Sequence, residues 1–314
     1  MLNRIFVGAL AIAGLLCGAA GQARAEGIVV VDVQNRIFSF NSAAPGVTTV
    51  PVTITGLQAG ETIVGIDRRP ANGLLYAVTS QSRIYTINET TGATNLVSSL
   101  SVPLNGTSFG IDFNPVVDRL RVVSDARQNL RVNVDTGAAT IDGTLTPIVV
   151  VSPLDPNIGA AAYTNNFAGA SSTTLYDIDF FRDRLVIQTP PNDGILVRVG
   201  ELSPLTPPMG ADLTNSLISF DISGFSGLAF ASLTSPSASF SMLYTINLST
   251  GLATLLGTIG GGVQIAGLAA QVGNPIPEPT TLLLLGTGLA GVAARVHRRR
   301  RANRREANLV SLSG

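Results

Sequence analysis

Internal repetition is the feature that most limits how this chain can fold. One short pattern recurs: an alternating apolar stretch, an Asn or Asp, a Ser or Thr, a Gly, and a second alternating stretch. Three copies occupy residues 85–94 (YTINETTGAT), 131–140 (RVNVDTGAAT) and 244–254 (YTINLSTGLAT), and an eroded copy begins at residues 36–41 (RIFSFN). Because Asn and Asp tolerate turn conformations and Gly adopts positive φ easily, each copy predicts a β-hairpin.

A second repeated element contains a Gly between small or apolar residues and precedes most of the hairpins. Its copies are residues 64–67 (VGID), 109–112 (FGID), 226–229 (SGLA) and 266–269 (AGLA). We expect this element to form an inner strand. Together with a following turn, a further strand and a hairpin, it makes a unit of four short strands. Such a unit spans about 45 residues, which is the size of one propeller blade.

Counting these units gives five blades. Four further apolar stretches, residues 158–164, 175–180, 184–188 and 195–199, supply a fourth blade with longer loops. The last inner-strand copy, within residues 263–270, has no hairpin after it, and the first hairpin has no inner strand before it. The sequence therefore predicts an all-β, five-bladed β-propeller whose C-terminal strand completes the first blade and removes the exposed edge. An open β-sandwich or a solenoid is the alternative.

The N-terminus has the three parts of a secretory signal. Arg4 is followed by an apolar run at residues 5–16, and Ala23 and Ala25 supply the small residues of a cleavage site. We expect a signal peptide over residues 1–25, cleaved after Ala25. Twelve apolar residues are too few to span the ~30 Å hydrocarbon layer of a bilayer.

The C-terminus has its own ordered pattern. Pro277, Glu278 and Pro279 precede an apolar run, and a basic cluster follows. The cluster comprises Arg295, Arg298, Arg299, Arg300 and Arg301. This order resembles the bacterial PEP-CTERM sorting signal, and the resemblance implies processing by an exosortase, a membrane enzyme of bacteria that make exopolysaccharide.

The apolar run also predicts a membrane topology. We expect one transmembrane helix at residues 280–296, about 25 Å long, with a basic cytoplasmic tail at residues 297–314. The positive-inside rule then places residues 26–279 outside. The predicted regions are the signal peptide (1–25), the ectodomain (26–274) and the sorting region (275–314).

The ectodomain resembles the DUF4394 family, a bacterial domain of unknown function. The matching segments are residues 65–70 (GIDRRP), 110–115 (GIDFNP), 162–165 (AYTN), 174–179 (TLYDID) and 188–194 (QTPPNDG). The resemblance extends from residue 29 to residue 270. It implies a propeller-like fold and no particular activity.

Composition excludes most catalytic chemistry from the ectodomain. His297 is the only His, Cys17 is the only Cys and there is no Lys. Catalysis by Ser-His-Asp or Cys-His sites, zinc bound by His or Cys, and Schiff-base chemistry are therefore excluded. Carboxylate chemistry remains, either as glycoside hydrolysis or as an oxygen-only metal site.

Three aspartates are candidates for a channel or ligand site. Asp67 and Asp112 end equivalent inner strands, and Asp179 is a third candidate. Alternatively, these side chains cap the turns before Pro70 and Pro115. A catalytic pair must differ in pKa, whereas repeated residues meet similar environments, so repetition argues against catalysis. We predict no catalytic residues and a protein that is not an enzyme.

Charge and motif content indicate the partners. Residues 26–279 contain 19 acidic residues against 11 Arg, so the ectodomain is acidic and nucleic acid is excluded as a partner. No loop has calcium-ligand spacing, so the sequence predicts no bound metal and no cofactor. We predict a non-catalytic protein of the cell surface or extracellular matrix, with an exosortase, transiently the inner membrane, and exopolysaccharide or other matrix components as partners. A carboxylate-dependent glycan-active enzyme of the cell surface is the alternative.

Overall fold

The computed structural model describes residues 25–147, 156–203, 217–234 and 238–273. The predicted transmembrane helix, the Pro-Glu-Pro triplet, the basic cluster and residues 1–24 of the predicted signal peptide lie outside these ranges. Within them, no helix is long and apolar enough to cross a bilayer.

The described residues form five β-sheets, which are the blades of a propeller. Blade 1 contains β1 (Gly27–Asp32), β2 (Arg36–Asn41), β3 (Val52–Thr53) and β21 (Ile265–Ala269). Blade 2 contains β4 (Ile63–Arg68), β5 (Leu75–Thr79), β6 (Arg83–Ile87) and β7 (Thr94–Ser99). Blade 3 contains β8 (Phe109–Asn114), β9 (Arg119–Ser124), β10 (Asn129–Val132) and β11 (Ala139–Ile141).

The last two blades complete the set. Blade 4 contains β13 (Ile158–Tyr163), β14 (Leu175–Asp179), β15 (Arg184–Gln188) and β16 (Ile195–Glu201), with β12 (Thr146–Pro147) added in parallel at its outer edge. A short 3-10 helix, Pro191–Asp193, joins β15 to β16. Blade 5 contains β17 (Leu217–Ile222), β18 (Ala229–Thr234), β19 (Met242–Ile246) and β20 (Ala253–Thr258).

The ring closes between the two ends of the propeller. The C-terminal β21 pairs antiparallel with the N-terminal β1, with Val30 opposite Leu268, and becomes the innermost strand of blade 1. The inner strands then contact one another in the circular order β4, β8, β13, β17, β21 and back to β4. The predicted five-bladed propeller, closed by its C-terminal strand, is confirmed.

The repeated pattern forms the outer hairpin of a blade, as predicted. In blade 2 the Asn88 side-chain oxygen accepts hydrogen bonds from the Thr90 and Thr91 N–H groups, and the Gly92 N–H donates to the Asn88 carbonyl. Gly92 has φ +71°, a conformation that Gly adopts without a Cβ clash. Residues 133–137 and 247–251 form the same turn in blades 3 and 5.

The prediction of an inner strand at residues 226–229 is wrong. Residues 226–228 form the turn into the second strand of blade 5, where Gly227 has φ +75° and the Ser226 hydroxyl accepts a hydrogen bond from the Leu228 N–H. The inner strand is β17, which lies earlier in the chain. The Gly at this position therefore serves a tight turn and not a close approach between strands.

Neighbouring blades are joined by apolar packing and by ion pairs. Between blades 2 and 3, the rings of Tyr76 and Phe113 pack edge to face with centroids 5.3 Å apart. Arg69 extends from blade 2 and hydrogen-bonds with both Nε and Nη2 to Asp118 and through both Nη atoms to Asp135. Such charge-assisted, two-point bonds fix orientation as well as adding stability.

Candidate functional site

Three aspartates from three different blades meet at the axis of the propeller. Asp67 lies near the end of β4, Asp112 in β8 and Asp221 near the end of β17. One carboxylate oxygen from each residue lies within 4.8 Å of the others. The inner strands run in the same direction around the axis, so equivalent positions on them converge.

Backbone hydrogen bonds between blades fix two of these carboxylates. Asp67 Oδ2 accepts from the Phe113 N–H at 2.7 Å, and Asp221 Oδ2 accepts from the Ala270 N–H at 2.7 Å. In each case the donor belongs to the adjacent blade, where it directly follows the position that corresponds to the aspartate. The other oxygen of each group accepts from the N–H of the next residue, Arg68 or Ile222, at 2.6 Å.

Asp112 differs from the other two aspartates. Its side chain is completely buried, and neither carboxylate oxygen has a hydrogen-bond partner of normal geometry. The Tyr163 N–H occupies the corresponding place in the next blade and lowers the pKa of Asp112 in part, without forming a well-aligned bond. Such a group carries a desolvation cost unless a proton or a cation compensates it.

Burial and mutual repulsion determine the protonation of the three carboxylates. Burial is the largest cause for each, and it raises the pKa of Asp67 and Asp112 well above the usual range and the pKa of Asp221 to about 6. The charge of Asp221 further raises the pKa of Asp67. The charges of Asp67 and Asp221 further raise the pKa of Asp112, as does a hydrogen bond from protonated Asp112 to Asp221. The arrangement can therefore store protons or coordinate a cation.

The channel narrows on one side of the aspartates. Each inner strand has a small residue two positions before its axial residue, on the same face of the strand. These small residues are Gly65, Gly110, Ala160, Ser219 and Gly267. They line a cavity of about 20 Å³, which is room for one water molecule. A Cβ built on Gly110 would lie 2.5 Å from the Ala160 backbone carbon, so the strands approach too closely there for a larger residue.

The channel widens again where the inner strands begin. A cavity of about 240 Å³, the channel mouth, opens there. Its lining includes Thr62, Thr107, Ser108 and Phe109, and none of the described residues that line it is ionisable. The channel mouth and the aspartates thus lie at opposite ends of the inner strands.

Of the three predicted channel aspartates, the structure brings two together. Asp67 and Asp112 meet at the axis, but Asp179 lies at the end of the second strand of blade 4, opposite Ile158. Its carboxylate accepts hydrogen bonds from the Asn157 N–H and the Arg182 guanidinium. The corresponding axial position in blade 4 is Ala162, so Asp179 is not part of the cluster.

Sequence reasoning missed Asp221. Its segment, residues 219–221 (SFD), replaces the Gly-Ile-Asp of blades 2 and 3, and only the aspartate two positions after a small residue is retained. A search for a small residue followed at the second position by Asp would have found it. Of the remaining predicted residues, Ala25 is exposed and directly precedes Glu26, whereas Ala23 and the C-terminal motifs lie outside the described ranges.

Two family models match the chain. A family model described as a domain of unknown function, DUF4394, matches residues 36–269, and a model of the PEP-CTERM protein-sorting motif matches residues 275–300. Both resemblances seen in the sequence are confirmed. No curated protein is similar to this chain.

Several solved structures are similar to the chain at low identity. A protein of unknown function from Bacteroides thetaiotaomicron is 14% identical over 72% of this chain and 57% of that chain, with a TM-score of 0.42. Hydrazine synthase from Kuenenia stuttgartiensis is 11% identical over 66% of this chain and 53% of that chain, with a TM-score of 0.39. Sqt1 from Saccharomyces cerevisiae is 14% identical over 77% of this chain and 72% of that chain, with a TM-score of 0.37. The chain spans little more than half the length of the first two.

Proposed function

The chain belongs to the DUF4394 family, and from that premise we propose that it is an exported surface protein whose propeller is a non-catalytic module for binding a neutral saccharide. The saccharide belongs to the exopolysaccharide around the cell. It binds at the channel mouth, and an exosortase releases the protein from the inner membrane to the cell surface or matrix.

The sorting motif supports the first part of this proposal. A PEP-CTERM motif at residues 275–300 indicates an exported protein that an exosortase sorts. Such a protein is held in the membrane before processing and reaches the cell surface afterwards. Its propeller then lies among extracellular polymers, where a binding module is useful without any catalytic step.

The chemistry of the channel mouth is the observation that carries the second part. Thr62 and Ser108 bring hydroxyl groups that both donate and accept hydrogen bonds, as sugar hydroxyls do. The Thr107 hydroxyl donates its proton to Asp125 and offers its remaining lone pair as an acceptor. Phe109 is partly exposed beside them and offers an apolar surface for the C–H face of a sugar ring. At about 240 Å³ the cavity is smaller than the ~300–1,000 Å³ of sites for drug-sized ligands, and it suits one sugar unit or a chain end.

The same geometry argues against the glycan-active enzyme. Glycoside hydrolysis needs two carboxylates that flank the bond to be cleaved, about 5–9.5 Å apart. The described lining of the channel mouth contains no carboxylate. The axial aspartates are at most 2% exposed and lie beyond the narrow part of the channel, where no saccharide reaches them.

A glycan array with the full chain, purified in detergent, tests the proposal. We expect binding to neutral saccharides and no change in the mass of the bound glycans after incubation. Thr62→Arg should abolish binding, because it places a long charged side chain in the channel mouth. The matched control is Thr254→Arg, at an exposed position of the outer strand β20, which should bind as the unmodified chain does. Cleaved products, or equal loss in both variants, would contradict the proposal.

A further inference from the structure

We propose that Asp67, Asp112 and Asp221 form a calcium-binding site on the axis of the propeller, where one Ca²⁺ ties blades 2, 3 and 5 together. The site is independent of saccharide binding at the channel mouth. It gives the closed ring a structural ion at the point where three inner strands converge.

The unpartnered Asp112 carboxylate points to a ligand. It is completely buried, no described N–H or O–H group donates to either oxygen in good geometry, and one oxygen lies within 4.8 Å of oxygens from Asp67 and Asp221. Only a proton shared with Asp221 would give the metal-free Asp112 a side-chain partner. No Arg forms an ion pair with these three groups in the described part of the chain. Arg68 is the next residue after Asp67, but its guanidinium makes two 2.6 Å bonds to Glu89. Buried carboxylates without such a pair bind a metal or take up protons.

A buried set of three protein carboxylates suits calcium better than magnesium. Calcium binds oxygen at about 2.3–2.6 Å, so two ligands of one ion lie no more than about 4.6–5.2 Å apart. Magnesium binds at about 2.0–2.1 Å, which limits that separation to about 4.2 Å. The three oxygens lie within 4.8 Å of one another, inside the calcium range, and the adjoining cavity of about 20 Å³ leaves room for one water molecule and not for the several that Mg²⁺ usually keeps.

The surroundings orient the ligands in advance. The Phe113 and Ala270 N–H groups hold the carboxylates of Asp67 and Asp221, in the way that outer hydrogen bonds orient metal ligands elsewhere. Each carboxylate oxygen has lone pairs left for a metal. The neighbouring cavity of about 20 Å³ has room for a water molecule as a further ligand.

Protons compete with calcium for the three carboxylates. Without a cation, the repulsion among three buried carboxylates is relieved by protonation, and calcium would then displace those protons. Export favours calcium, because extracellular modules bind it with dissociation constants of about 10⁻⁴–10⁻³ M and the medium outside the cell supplies it at such levels.

The experiment uses the full chain in detergent, stripped with EGTA at neutral pH, and measures its melting temperature against added CaCl₂ or MgCl₂. Calcium at about 100 times its dissociation constant should raise the melting temperature by about 5–10 °C, with a smaller effect of magnesium. Elemental analysis after removal of free metal should give one calcium per chain. No shift with calcium would overturn the proposal and identify the cluster as protonated.

Two matched variants locate the effect. Asp112→Asn keeps the shape of the side chain and removes one like charge, so the metal-free variant should melt at or above metal-free wild type while the calcium shift is lost. Asp177→Asn changes another buried, unpartnered aspartate, in β14 away from the cluster, and should keep the full calcium shift. A calcium shift that survives Asp112→Asn, or disappears in Asp177→Asn, would place the ion elsewhere.

Discussion

Replacing Asp177 by Asn should flatten the dependence of the unfolding free energy on pH. Asp177 lies in β14 between Ala161 and Val186, is completely buried, and has no hydrogen-bond partner on either carboxylate oxygen. Burial raises its pKa to about 8, and the positive charge of Arg121 only partly opposes this rise. The folded chain therefore holds a proton at neutral pH that the unfolded chain has released.

The sign and the size of the effect follow from proton linkage. An unfolded aspartate has a pKa of about 3.9, so the stabilising proton is fully retained below that pH and is lost as pH rises through about 8. Within this window the unfolding free energy falls by up to about 1.4 kcal/mol per pH unit, or about 6 kcal/mol in total. Asn carries no proton to lose, so the variant lacks this contribution at every pH.

Urea denaturation of the full chain and of Asp177→Asn, followed by far-UV circular dichroism, measures the effect. Circular dichroism suits a chain without Trp. Calcium is held constant, so that the axial aspartates contribute equally and cancel in the difference between the two proteins. The unfolding free energy of the variant minus that of the unmodified chain should increase by about 4 kcal/mol from pH 5 to pH 8. A difference that stays constant across this range would refute the reasoning, whatever its absolute value.

Two further substitutions test the packing around the axis. Leu268→Ala, in the strand that closes the ring, should lower the unfolding free energy by about 2–5 kcal/mol because the side chain is only 2% exposed. The control Leu256→Ala, at 37% exposure on β20, should lower it by less than about 1 kcal/mol. Equal losses of stability in thermal unfolding would argue against closure by β21. Gly110→Ala should cost about 1–3 kcal/mol because the new Cβ would meet backbone at 2.5 Å. Its control is Gly46→Ala, where the nearest atom is 3.7 Å away, and a Gly110→Ala protein that melts with this control would contradict the close approach of the inner strands.

The fold was predictable because its signals are local. In blades 2, 3 and 5 the outer hairpin needs a Gly at positive φ after an Asn, and Gly92, Gly137 and Gly251 provide it within a few residues of the Asn that begins the turn. Ring closure was predictable from an unpaired strand at each end of the propeller. These features depend on turn chemistry and on hydrophobic alternation, both of which are visible in a single stretch of sequence.

The axial cluster was only partly predictable because it depends on contacts between blades. Asp67 and Asp112 share a repeated motif, but Asp221 lacks the Gly-Ile that marks them, and Asp179 lies in a similar-looking stretch that forms a second strand. Calcium-ligand spacing along one loop could not indicate a site whose ligands come from three strands. The place of Asp221 at the axis follows from the contacts of β17 with the inner strands β13 and β21, and both of these strands lie far from β17 along the chain.

The central claim is that an exosortase releases an exported propeller from the membrane. The mass of the mature protein tests this claim most directly. The chain should be expressed in full in a host that has an exosortase, recovered from membrane and extracellular fractions, and measured by intact-mass spectrometry. The account predicts an extracellular form that begins at Glu26 and ends near Pro279. Recovery of only a form that ends at Gly314 and remains in the membrane fraction would contradict it.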